Sequence, residues 1–195
     1  MVERMTKRFI DEMAKTKRDG FDLLIKAMEE GGFFEAPCSG THHLAEQYGL
    51  LQHSLNVLDY ARKLNEVWGR IVPDDSVIIV SLLHDLGKMG DHGKPNYVEN
   101  VLKSGKVSAA EPFKTNKNLM YLPHEVRSAI IAERYIKLKE DEEQAIIWHN
   151  GLYGEFKYDI QGKETPIYML LHFADMWCSR VVEIEDEDEG KEEKE

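Results

Sequence analysis

Val77-Ile78-Ile79-Val80-Ser81-Leu82-Leu83-His84-Asp85-Leu86-Gly87-Lys88 decides how the rest of the chain is read. Val77, Ile78, Ile79, Val80, Leu82, Leu83 and Leu86 are apolar, and at 3.6 residues per turn they cover every side of a helix instead of one stripe. Such a helix is expected to be buried around most of its circumference. His84 and Asp85 therefore stand at the end of a buried element, where an unpaired carboxylate is costly. A divalent cation is the simplest partner for the two, since neutral imidazole and carboxylate are ordinary ligands. Taken alone, the dipeptide reads more readily as a helix end where His84 and Asp85 merely reach water.

On either side of this stretch the pattern is helical. Phe9, Ile10, Met13 and Ala14, then Phe21, Leu24, Ile25 and Met28, recur at spacings of three and four, which predicts helix from Thr6 to Glu30. Asp19-Gly20 is the expected break, with Asp19 as a cap, and Gly31-Gly32 the stop. Phe33 to Tyr48 reads as loop and contains His42 and His43. Leu51, Leu55, Leu58, Ala61 and Leu64 predict a helix from about Leu50 to Trp68 that carries His53 on an adjacent row. Asp74 or Asp75 is expected to cap the central helix, which should stop at Gly87 or Gly90.

Gly90 to Leu122 is irregular. A short hairpin of Asn96–Leu102 and Lys106–Ala110 about Ser104-Gly105 is expected there, within a flap rich in Lys and Asn. Helix is expected again from Pro123 to about Lys139, with Val126, Ile130, Ile131 and Tyr135 inward. A shorter one should run from Asp141 or Glu142 to His149, then a turn or small hairpin from Tyr153 to Lys163. Thr165-Pro166 opens the last helix, with Ile167, Leu170, Leu171, Ala174, Trp177 and Val181 inward. The expected fold is an all-α bundle with a small hairpin or flap, one domain over residues 1–182.

The chain has 195 residues and a net charge of −11. Nine acids against two lysines between Glu183 and Glu195 carry −7 of it, so residues 183–195 read as an acidic, solvated, disordered tail. The mildly acidic remainder argues against a surface that grips long nucleic acid through many phosphates. No apolar run is long enough for a membrane span, and the N-terminus lacks a secretion signal. Two cysteines, Cys38 and Cys178, lie in no metal-ligand spacing, which implies a reduced, cytoplasmic protein without disulfides.

His53, His84, Asp85, His124, His149, His172 and Asp175 all fall on helix ends or inner faces. Each alone is more often a core or surface residue than a ligand. Several helices that each contribute one nitrogen or carboxylate is, however, how metal centres are built in bundle cores. Gly49-Leu50-Leu51-Gln52-His53-Ser54-Leu55, Leu83-His84-Asp85-Leu86-Gly87-Lys88 and Phe173-Ala174-Asp175 together resemble the HD-domain superfamily of metal-dependent phosphohydrolases. The resemblance runs from about Phe33 to Val182 and implies that His53, His84, Asp85 and Asp175 bind one metal. Leu122-Pro123-His124-Glu125 and Ile147-Trp148-His149-Asn150-Gly151 are similar to the extra histidine segments of the two-metal branches. They imply a second ion on His124 and His149, with Asp85 bridging. The pattern is also similar to the HD domain of a bacterial 3′-to-5′ exoribonuclease family, without the OB-fold that precedes it there, and the Gly-Tyr-Pro signature of cyclic dinucleotide phosphodiesterases is missing.

Imidazoles and carboxylates without thiolates suit Mn, Fe, Co, Ni or Zn better than Mg. The implied activity is hydrolysis of a nucleotide or other small phosphate ester, phosphomonoester or phosphodiester. A water whose pKa a metal lowers toward about 7 is the implied nucleophile. Asp85 and Lys88 are the catalytic candidates, with Lys88 alternatively a lysine that complements the helix dipole. Lys88, Arg127 and His43 are candidates for holding substrate; the alternative for Arg127 is an ion pair with Glu133 or Asp141. Competing functions are oligonucleotide hydrolysis and a non-catalytic nucleotide sensor.

Overall fold

The computed structural model describes residues 1–154 and 158–184. Seven α-helices are found among them: α1 (Val2–Lys15), α2 (Phe21–Glu30), α3 (Gly49–Val67), α4 (Asp74–Leu83), α5 (His124–Glu133), α6 (Glu140–Trp148) and α7 (Pro166–Trp177). Helix α4 is the axis of the bundle. Every residue from Ser76 to Leu83 is buried, and α1, α3, α5, α6 and α7 all pack on it. That is the physical outcome of an element apolar on all sides: it has no face to offer water.

Local chemistry accounts for most helix ends. Thr165 caps α7 by accepting from Tyr168 N at 3.4 Å, with Pro166 at the first position. Glu142 reaches back to Lys139 N at 2.8 Å to open α6, and its buried carboxylate also takes Arg18 Nη2 at 2.6 Å. This ion pair ties the α1–α2 link to α6. Gly20 rather than Asp19 precedes α2, at φ +83, where any Cβ would lie 1.8 Å from the Tyr135 carbonyl oxygen.

Three expected elements differ. Helix α5 stops at Glu133 instead of near Lys139, because the Glu133 carboxylate takes the Leu138 backbone N–H at 2.5 Å and folds the chain back. Ile130, expected inward, is exposed, whereas Glu125, Arg127 and Ser128 are buried. Helix α4 gives up α geometry at Leu83, with His84 as its C-cap, and a 3₁₀ turn over Leu86–Met89 carries the chain to Gly90. Beyond α7 the chain makes a π turn over Cys178–Val182, closed by Glu183 N donating to Cys178 O at 3.0 Å. The inner row therefore continues Ala174, Cys178, Glu183, and Trp177 and Val181, expected inward, are exposed.

The flap contains two small antiparallel ribbons. β1 (Gly90–Asp91) pairs with β2 (Lys94–Pro95), and β3 (Tyr97–Glu99) with β4 (Phe113–Thr115). The turn at Ser104-Gly105 is where expected, bridged by Val101 and Val107, but the second arm runs on to Thr115. Asn116 Nδ2 donates to Pro95 O at 2.8 Å and anchors the base.

Glu183, grouped by charge with the acidic tail, is buried in the body. The rest of that segment, residues 185–195, lies outside the described residues, as does 155–157 of the expected turn. No helix among the described residues is long and apolar enough to cross a membrane.

Candidate metal centre

The 3₁₀ turn after α4 builds the heart of the site. With three residues per turn, positions i and i+3 eclipse, so Lys88 stands directly over Asp85. Its Nζ lies 2.7 Å from Asp85 Oδ2. Asp85 is buried and Lys88 largely so, its side chain 13 % exposed. Burial opposes each charge, yet the pair outweighs it: Lys88 holds Asp85 well below the usual carboxylate range, and Asp85 holds Lys88 well above the usual lysine range.

Around Asp85 the histidines form two groups. On the Oδ2 side, His53 Nε2 stands 3.5 Å away and His84 Nε2 3.4 Å. These two nitrogens are 3.2 Å apart, and Asp175 Oδ1 is 3.1 Å from His53 Nε2. On the Oδ1 side, His124 Nε2 lies at 3.1 Å and His149 Nε2 at 3.5 Å. Asp85 Oδ1 is buried and accepts no well-directed hydrogen bond among the described residues.

Every Nδ1 in the cluster is engaged from behind. His84 Nδ1 donates to Ser81 O at 2.9 Å and His149 Nδ1 to Ile146 O at 2.7 Å, carbonyls that a helix C-terminus leaves free. His53 Nδ1 meets Glu183 at 2.9 Å, and His124 Nδ1 meets Glu125 at 3.1 Å. With Nδ1–H donating, the lone pairs sit on Nε2 and converge. Two lone pairs facing at 3.2 Å repel unless a positive charge lies between them. Burial opposes an imidazolium at His53, but Cys38, Asp175 and Glu183 outweigh it and raise that ring well above the usual histidine range. Burial dominates at His84 and lowers it.

The residues fit a metal. Ligand atoms about 2.1 Å from one ion at tetrahedral or octahedral angles stand roughly 3.0–3.4 Å apart, close to the separations on both sides of Asp85. His53, His84 and Asp175, and separately His84, Asp85 and His149, are grouped so that they could hold a cation.

Neighbouring elements fix these positions. Gly87 N donates to Ser128 Oγ at 2.8 Å, and Ser128 Oγ donates to His124 O at 2.8 Å. A Cβ on Gly87 would come within 2.3 Å of the His124 carbonyl oxygen, so only glycine lets α5 approach and bring His124 in. His172, on the α7 face of Asp175, donates Nδ1 to His149 O at 2.8 Å and steadies that helix end.

Of the expected substrate residues, Lys88 and His43 line a cavity of about 790 Å³ that opens on Asp85, His149 and Asp175, with Asn150, Tyr153 and Arg180 on its wall. Arg127 lines a different cavity, of about 690 Å³ beside the flap. Its Nη2 donates to Met120 O at 2.7 Å and struts the flap against α5, and among the described residues it forms no ion pair with Glu133 or Asp141.

Sequence reading missed Glu183, one acid among nine in a charged run, and Cys38, whose Sγ lies 3.5 Å from His43 Nε2 and 3.8 Å from Lys88 Nζ. Cys38, His43 and His53 form a third group with metal-ligand proximity. The loop between Phe34 and Tyr48 brings Cys38 there, and no spacing in the sequence announces it.

The family model described as "HD domain" matches residues 50–170. That stretch takes in His53, His84, Asp85, His124 and His149 and ends just before Asp175. No curated protein and no solved structure matches the chain. With the match covering more than half of its length, on a helical fold whose histidines and aspartates converge as a metal site requires, the chain belongs to the HD domain family, of the superfamily of metal-dependent phosphohydrolases.

Proposed function

We propose that this chain hydrolyses a phosphate ester of a small substrate, a nucleotide or similar phosphorylated metabolite, using two divalent ions held across Asp85. The observation that carries this reading is the division of Asp85: Oδ2 faces His53 and His84, and Oδ1 faces His124 and His149. His53, His84, Asp85 and Asp175 would hold one ion; Asp85, His124 and His149 would hold the other. Divalent ions held by these residues would polarise a phosphoryl group and make a bound water nucleophilic near neutral pH. The donor set favours Mn, Fe, Co, Ni or Zn over Mg.

The chain's own groups do the rest. Lys88 Nζ, 2.7 Å from Asp85 Oδ2 and on the wall of the cavity, is placed to clamp a phosphoryl oxygen electrostatically or to protonate the leaving group. His43 lines the same cavity and contacts substrate from the opposite loop. A volume of about 790 Å³ suits a small ligand. The buried free thiols Cys38 and Cys178 suit a reducing, cytoplasmic setting.

The test is elemental analysis and turnover together, on protein made without a histidine tag. We expect about two ions per chain after reloading with Mn²⁺. Hydrolysis of nucleoside phosphates or of bis(p-nitrophenyl) phosphate should vanish with chelator and return with Mn²⁺. Fully loaded protein that turns over none of these overturns the proposal.

A further inference from the structure

His53 differs from the other buried histidines of the cluster in one respect. His84 and His149 sit at helix C-termini, where a carbonyl three residues back is free to accept from Nδ1. His53 lies within α3, whose carbonyls are occupied by the helix ladder, so its Nδ1 needs an acceptor from elsewhere. Glu183, 130 positions away, supplies it: Oε2 at 2.9 Å and Oε1 at 3.1 Å from Nδ1. Asn56, three residues after His53 on the same helix, donates Nδ2 to Glu183 Oε1 at 2.8 Å. Helix α3 thus presents both the imidazole and the amide that grip this carboxylate. The π turn Cys178–Val182 is what aims it, since an uninterrupted α7 would carry Glu183 off the inner row. At 8 % exposure, a carboxylate here is costly without such partners.

We propose that Glu183 is a positioning residue for the metal centre. Its carboxylate holds His53 as the Nδ1–H tautomer, fixes the ring plane, and turns the Nε2 lone pair toward the ion shared with His84, Asp85 and Asp175. This inference rests on the metal reading given above. It makes the residues just beyond α7 part of the site and assigns the first acid of the terminal run a task distinct from that of the other eight.

Mn²⁺ binding to the full-length chain, measured by titration calorimetry on wild type, His53→Ala, Glu183→Ala and Glu183→Gln, tests it. His53→Ala should remove one tight equivalent. Glu183→Ala should weaken that same equivalent about 10–100-fold and leave the other unchanged. Glu183→Gln keeps an acceptor for Nδ1–H without the charge and should weaken it by about threefold or more, less than alanine does. A merely structural role would not single out one equivalent. If His53→Ala keeps both equivalents, the metal reading itself is overturned. If His53→Ala loses one while both Glu183 variants bind within about twofold of wild type, the Glu183 assignment alone is overturned. Should circular dichroism show Glu183→Ala unfolded, Glu183→Gln decides by the same threshold.

Discussion

The two sides of Asp85 are unlike. The side facing His53, His84 and Asp175 is enclosed by α3, α4 and α7, with both imidazoles fully buried and Glu183 closing it from behind. The side facing His124 and His149 lies between the start of α5 and the end of α6, and the His124 side chain is 28 % exposed. Its Nδ1 leans on Glu125, the adjacent residue, not on an element brought from afar. Enclosure excludes water and strengthens every electrostatic contact; partial exposure leaves a ligand free to swing. On the proposed two-ion reading, the closed side retains its ion and the more exposed side exchanges one.

The strongest way to break this contrast is to remove what both sides share. Asp85→Asn should release both ions and lower kcat/KM by about 10³-fold or more; elemental analysis that still finds one tight ion would show that the sides do not share this carboxylate. Next comes the contrast itself. His53→Ala and His124→Ala should each cost about 10–100-fold in activity at low Mn²⁺. Only His124→Ala should be rescued by millimolar Mn²⁺, so a titration in which both recover alike removes the distinction between closed and open. Lys88→Ala should lower kcat by about 10²-fold with two ions still bound, because either role of Lys88 acts on substrate. Lost metal in that variant would mean that Lys88 holds Asp85 and nothing more.

Gly87→Ala sharpens the picture from outside. Its Cβ would press on the His124 carbonyl and on Arg127 and Ser128, so we expect a loss of about 1–3 kcal/mol in thermal unfolding and a weaker open-side ion, with the closed side unchanged. The smallest effect leaves both sides alone. Burial raises the Glu12 carboxyl, but Arg62 and Lys15 outweigh it and hold it at about 2, below its ordinary 4.5. A depressed carboxyl contributes stability above about pH 4.5 that is lost as pH falls toward about 2. Glu12→Gln should flatten the stability profile in that window and nowhere else, as acid titration of the melting temperature would show.

Most of the site was legible because helical periodicity is local. The rows of α3 and α7 set His53 and Asp175 on apolar faces, and the all-round apolar α4 announced that His84 and Asp85 would be buried. Legibility stopped where the helical period changes. The 3₁₀ turn brought Lys88 onto Asp85 more closely than α geometry would, and the π turn sent Val181 outward and Glu183 inward. The face that buries Arg127 was set by the close approach at Gly87, not by the apolar pattern of α5. Cys38 reached His43 through an irregular loop, for which no periodicity exists.

The sequence by itself determined an all-helical body wound around Val77–Leu83, since this follows from side-chain chemistry repeated at a fixed angular step; periodicity offered seven inward polar residues, and the family resemblance singled out six of them as metal ligands. The family resemblance already divided those six about Asp85; only the tertiary structure decided that Glu183 stands behind His53. A contact across 130 positions depends on how the chain closes upon itself, and no local spacing carries that information.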